Sequence, residues 1–115
     1  MGLSTHVLDT AQGRPASGVA VALYRLGPTT ELLVETTTND DGRTDRPLLE
    51  NSQAKVGRYQ LRFSVADYFR RCDLPMDDPP FVDEVILNFA IAHPRQHYHV
   101  PLLVSPWSYS TYRGS

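Results

Sequence analysis

A chain of 115 residues makes one domain, spanning 1–115, that can bury a core without disulfide or metal staples. With 41% apolar and 21% charged residues it falls among ordinary soluble globular proteins, and a formal net charge of −2 excludes the basic surface that nucleic acid or an anionic membrane selects. The single cysteine, Cys72, excludes an intrachain disulfide and any Cys-x-x-Cys zinc pattern, and fits a reducing compartment.

Strand signals dominate from the start. MGLSTHVLDT lacks a basic segment followed by an apolar one, so no secretory signal is expected and the expected compartment is the cytoplasm. His6 stands where a myristoylation motif needs Ser or Thr. Ser4 to Leu8 is short and β-branched and reads as a strand, and Asp9 to Ser17, with Gly13 and Pro15, reads as a loop. Val19, Val21 and Leu23 alternate with Ala20, Ala22 and Tyr24, the period of two of a half-buried strand. Gly27-Pro28 breaks it, and Leu32 to Thr38 reads as the returning strand of a hairpin. Asn39-Asp40-Asp41-Gly42 is a turn, because Asn and Asp bond their own backbone and Gly accepts positive φ. Leu48 to Val56 fits a loop or a short helix equally well.

Arg58 to Val65 carries the cleanest alternation, with Tyr59, Leu61, Phe63 and Val65 on one face. Tyr68, Phe69 and Cys72 have helical spacing, which predicts one short helix over 66–73. Pro75 to Pro80 is an irregular connection, followed by expected strands over 82–92 and 96–104. Ser105-Pro106 makes a turn, and Trp107 to Tyr112 reads as a last strand. No stretch reaches the ~18 apolar residues of a membrane span. About eight short strands with one helix predict a β-sandwich or barrel.

Histidine is the natural place to look for chemistry, since its ordinary pKa lies near neutrality. His93 precedes Pro94 and reads as loop surface. His97 and His99 are two apart on an expected strand and share a face, which is either the solvent side of a sheet or one wall of a site. His6 lies on the first strand with Ser4 and Leu8 on its face, and alone reads as a structural histidine. A His-x-His strand with His6 as third ligand is a minor zinc possibility, with no carboxylate or further cysteine at a supporting spacing. Arg43 and Arg46 flank the turn after Gly42, and composition cannot rank them. No Gly-x-Ser-x-Gly elbow is present. From the residues alone, the chain reads as a small soluble β-sandwich with a polar site that uses His6, His97, His99 and an arginine, its chemistry unassigned by spacing.

Four stretches resemble one family. LSTHVLDTAQGRPASGVAVALYRL at 3–26, TTNDDGRTDRPLL at 37–49, FSVADYFRRC at 63–72 and HYHVPLLVSPWSYSTYRGS at 97–115 are similar to the 5-hydroxyisourate hydrolases, the transthyretin-related enzymes of purine (urate) degradation. The closing Tyr112-Arg113-Gly114-Ser115 is the most specific part, since true transthyretins lack it and the histidines. The resemblance implies an all-β, transthyretin-like (prealbumin-like) sandwich of two four-stranded sheets with one short helix. It also implies a homotetramer, a dimer of dimers, with sites in the channel between dimers. The implied reaction is metal-free and cofactor-free hydrolysis of 5-hydroxyisourate to 2-oxo-4-hydroxy-4-carboxy-5-ureidoimidazoline. By the family pattern His6, Arg43, His99 and Ser115 are catalytic, and Tyr112, His97 and Arg113 join His6 and Arg43 in binding substrate. A non-catalytic carrier of a small aromatic ligand is the alternative.

Overall fold

The computed structural model of the protein describes residues 2–114. In chain order its elements are β1 (Leu3–Asp9), β2 (Arg14–Pro15), β3 (Ala20–Leu26), β4 (Thr30–Thr37), a 3₁₀ turn at Asn51–Gln53, β5 (Gly57–Phe63), α1 (Val65–Arg71), β6 (Val85–Ile91), β7 (Tyr98–Val104) and β8 (Tyr109–Thr111). They build two four-stranded sheets, ordered β2-β1-β7-β8 and β4-β3-β5-β6. The expected sandwich with one short helix is therefore what the chain forms.

The period-two pattern decides which faces meet. Val21 and Leu23 of β3 and Tyr59, Leu61 and Phe63 of β5 are buried, and they face Leu3 and Val7 of β1 and Tyr98, Val100, Leu102 and Val104 of β7. Each fully buried Leu, Val or Phe contributes roughly 1.5–3 kcal/mol relative to exposure. The outward faces are polar: Gln60 Nε2 donates to Asn88 Oδ1 at 2.9 Å, and the Arg62 guanidinium lies 4.1 Å from the Tyr24 ring centroid. That contact is of cation–π type.

The alternation read through Val65 ends at Phe63, because Val65 opens α1, and three strands begin two or three residues later than their sequence pattern because their backbone groups are used elsewhere. The strand expected from Val82 begins at Val85: the Asp83 carbonyl accepts from Ala66 N–H at the start of α1, and Val82 N–H donates to Pro106. The last strand begins at Tyr109 rather than Trp107, since Ser105 Oγ accepts from the N–H groups of both Trp107 and Ser108, closing a serine turn. The strand expected from Gln96 begins at Tyr98, because Gln96 N–H closes a turn onto His93. Within the expected 9–17 loop, Arg14 and Pro15 pair with Asp9 and Leu8. Leu48 to Val56 resolves into the 3₁₀ turn, with Leu48 and Leu49 buried against Leu3.

Helix α1 buries Val65, Ala66, Tyr68 and Phe69, and carries Asp67 in its first turn and Arg70 and Arg71 in its last, as the helix dipole favours. It stops where Asp73 turns left-handed at φ 59°. A buried carboxylate ties the helix to β1. Asp9, 1% exposed, accepts from Ala11 N–H, Gln12 N–H, Gln12 Nε2 and the Tyr68 hydroxyl, all within 2.9 Å. Burial first, then the bonds to Asp9 and Cys72, push the Tyr68 phenol up, so it stays a donor at any ordinary pH. Tyr68→Phe removes one hydrogen bond to a buried carboxylate and is expected to cost about 1.5–3 kcal/mol in urea unfolding. A loss within error would mean the Asp9 cluster does not hold the helix.

Candidate active site

The parallel pairing of β1 with β7 creates the site. Its register sets Ser4 opposite His99 and His6 opposite Pro101. Since Leu3, Thr5, Val7 and Asp9 point inward, Ser4, His6 and Leu8 point out; on β7 the same alternation turns His99, Pro101 and Leu103 outward. Two histidines far apart in sequence thus share one outer face.

The turn after β4 brings the arginine. Asn39 Oδ1 accepts from the N–H groups of Asp41 (2.9 Å) and Arg43 (3.2 Å), and Gly42 sits at φ +75°. A side chain on Gly42 would strike the Val7 carbonyl oxygen, so the close approach of this turn to β1 requires glycine. Val7 N–H donates to the Gly42 carbonyl at 2.8 Å, and His6 pairs with Arg43 as a single antiparallel bridge. On the other side, Gly114 N–H donates to the His99 carbonyl at 2.7 Å. A Cβ on Gly114 would lie 2.8 Å from His99 Cδ2, so the backbone there packs flat against the imidazole.

Hydrogen bonds orient the rings. His6 Nε2 lies 2.8 Å from the Asp41 carbonyl oxygen. A carbonyl only accepts, so Nε2 carries the hydrogen and neutral His6 keeps its Nδ1 lone pair. Ser4 Oγ lies 2.8 Å from His99 Nδ1 and 3.1 Å from His97 Nε2, and the two rings stack at 6.4 Å and 14°. Burial first, then the charges of Arg43, His6 and His97, hold the His99 pKa below its ordinary 6.5, opposed by the Ser4 backbone. His99 is therefore neutral at neutral pH. The face offers one fixed cation, one neutral imidazole flanked by a hydroxyl, and one imidazole with a free lone pair. That set can bind an anion, polarise a carbonyl and accept a proton from water.

His6, Arg43, His97 and His99 are brought together. Tyr112 and Arg113 lie beside this group rather than within it in one chain, with Arg113 Nη2 donating to the His97 carbonyl at 3.4 Å and to Gln96 Oε1 at 3.0 Å. They line a cavity of about 300 Å³ between the sheet edges, with Ile86 to Ala90, Tyr98, Val100 and Thr111, and Arg113 stacks over Tyr98 at 4.1 Å. Ser115 lies outside the described residues. His93 sits in its loop, where its N–H meets the Tyr98 hydroxyl, and Arg46 borders a separate hollow with Asp45 and Glu50. Among the described residues no three His, Cys, Asp or Glu side chains are grouped closely enough to hold a metal ion. Ser4 is the site residue that sequence reasoning passed over. Its shared face with His6 was visible, but its contact with the His97/His99 pair depends on the β1–β7 pairing.

Several known proteins share the sequence and fold of this chain. The chain is 56% identical over 115 residues to the 5-hydroxyisourate hydrolase of Deinococcus radiodurans, covering 99% of this chain and 96% of that one. Among solved structures, (S)-allantoin synthase matches with a TM-score of 0.94 and 45% identity over 99% of this chain, which spans only 43% of that longer protein. Sea bream transthyretin in complex with thyroxine matches with a TM-score of 0.86 and 26% identity, over 99% of this chain and 95% of that one. Residues 3–114 match the family model as well, and the chain belongs to the HIUase/Transthyretin family.

Proposed function

We propose that the protein hydrolyses 5-hydroxyisourate, opening its six-membered ring at an amide bond to give 2-oxo-4-hydroxy-4-carboxy-5-ureidoimidazoline. The observation that carries this reading is the convergence of His6, Arg43 and His99 on one outward face. Ring-amide hydrolysis needs an activated water, a donor for the developing oxyanion and a proton for the leaving nitrogen. A histidine of the His6/His99 pair takes the proton from water and returns it, a contribution of typically ~10²–10⁴-fold. Arg43 binds the anionic substrate and stabilises charge at the carbonyl. Tyr112, His97 and Arg113 contact substrate, and Ser115 completes the catalytic set.

The protein works as a homotetramer, a dimer of dimers, with each site between dimers. Leu8 and Leu103 flank the histidines on a half-buried face, and β6 and β8 are sheet edges open to a second copy. Among the described residues no helix is long and apolar enough to cross a membrane. The compartment we propose is the cytoplasm.

A carrier reading draws on the likeness to thyroxine-bound transthyretin, but a carrier has no use for a poised imidazole beside a fixed cation. The test generates 5-hydroxyisourate in place from urate and urate oxidase and follows its ultraviolet decay. Acceleration above the spontaneous rate is expected; an unchanged rate rejects the enzyme.

A further inference from the structure

We infer that Ser4 is a positioning residue: its single hydroxyl proton points to His99 Nδ1 and its lone pair accepts from His97 Nε2, so that His99 meets the substrate only as an Nε2–H hydrogen-bond donor. This rests on the hydrolase reading for what the donor is used for; the hydrogen-bond direction itself does not.

Ser4 Oγ has one proton and two lone pairs, and the two imidazole nitrogens are its hydrogen-bond partners among the described residues; accepting from both would leave its proton without an acceptor, so it donates to one ring and accepts from the other. Two observations choose the same direction. First, hydroxyl-donated bonds run shorter than those donated by ring N–H, and the contact to His99 Nδ1 is 2.8 Å against 3.1 Å to His97 Nε2. Second, His97 Nδ1 is the one buried side-chain nitrogen or oxygen without a partner among the described residues. In the opposite direction that atom would have to be a protonated, orphaned donor, which is rarer in folded proteins than an under-satisfied acceptor. In the direction chosen it keeps only a lone pair. Stacking of His97 on His99 keeps both rings at the hydroxyl.

The division of labour follows. His99 arrives neutral with its Nδ1 already occupied, which leaves its Nε2–H to donate to the substrate carbonyl oxygen and share developing negative charge with Arg43. It gives up no proton. His6, held by Asp41 through Nε2–H, offers Nδ1 as the base. His6 removes a proton from water as the new C–O bond forms. When the ring C–N bond breaks, its electron pair goes to nitrogen, which receives that same proton back from His6. Protons balance without passing through His97 or Ser4.

Ring-nitrogen NMR of the wild-type protein, paired with kinetics of Ser4→Ala and Ser4→Thr, tests this. The wild type should show His99 protonated at Nε2, with Nδ1 an unprotonated, hydrogen-bonded nitrogen. Ser4→Ala should move Nδ1 to the signal of a free lone pair. It should also lower kcat about tenfold, the worth of one well-placed hydrogen bond, with KM little changed. Ser4→Thr, which keeps a hydroxyl, should restore both. A protonated Nδ1 in the wild type overturns the inference, and this reading needs no variant to fold. So does unchanged kcat in Ser4→Ala when the wild type turns over. If the wild type shows no turnover yet Nδ1 responds to Ser4, the hydrolase reading falls and the hydrogen-bond direction stands.

Discussion

His6→Gln is expected to lower kcat by about 10²–10⁴-fold, the usual share of a positioned general base. The choice of glutamine matters. Its amide NH₂ can still donate to the Asp41 carbonyl that His6 Nε2 meets at 2.8 Å, so the link between β1 and the 39–43 turn has a replacement. What it lacks is a basic ring nitrogen. His6 is half-buried on an outward strand face, away from the core, and a polar substitution there should change stability by only about 0.5 kcal/mol. A large kinetic loss with an unchanged melting temperature is the expected pair of readings. A loss of only a few-fold would move the base to another residue.

Arg43→Met is expected to lower kcat/KM by about 10²–10³-fold, the scale of removing one preorganised donor from a developing oxyanion. Unlike His6→Gln, it should also raise KM, because the cation meets the substrate's own negative charge before reaction. It carries a second, independent signature. The Arg43 charge is one cause of the low His99 pKa, after burial. Removing that charge makes the imidazolium less unfavourable, so the His99 pKa must rise toward its ordinary value of 6.5. The rise is partial, since burial remains. In NMR titration the His99 midpoint should therefore move up in Arg43→Met. A midpoint that stays put or falls would show that the guanidinium does not act on this ring.

The class of fold was legible because it depends on local pattern. The alternation of Tyr59, Leu61 and Phe63 set their common face, and Asn39 to Gly42 made a turn by its own chemistry. Strand limits at Val85, Tyr98 and Tyr109 were not legible, because they depend on remote partners such as Pro106 and on which backbone groups the helix and turns claim first. The site was half legible. That His97 and His99 share a face follows from spacing. That His6 joins them follows from the parallel register of β1 on β7, a pairing between residues more than 90 positions apart that no local signal encodes. For the same reason Ser4 looked like an ordinary strand serine. Physical reading of the sequence grouped His6, His97 and His99 with an arginine as a possible polar site, and the resemblance of the chain's two ends to one family gave that group a reaction and chose Arg43.

One measurement bears most directly on the claim that this face turns substrate over rather than holding it. 5-Hydroxyisourate, formed rapidly from urate, is presented in large molar excess over the protein, and its ultraviolet absorbance is followed to completion. Catalysis at the His6, Arg43 and His99 cluster predicts consumption of many equivalents per site, at an initial rate proportional to protein concentration. Decay at the spontaneous rate, with at most a stoichiometric change on mixing, would contradict it and leave a binding protein in its place.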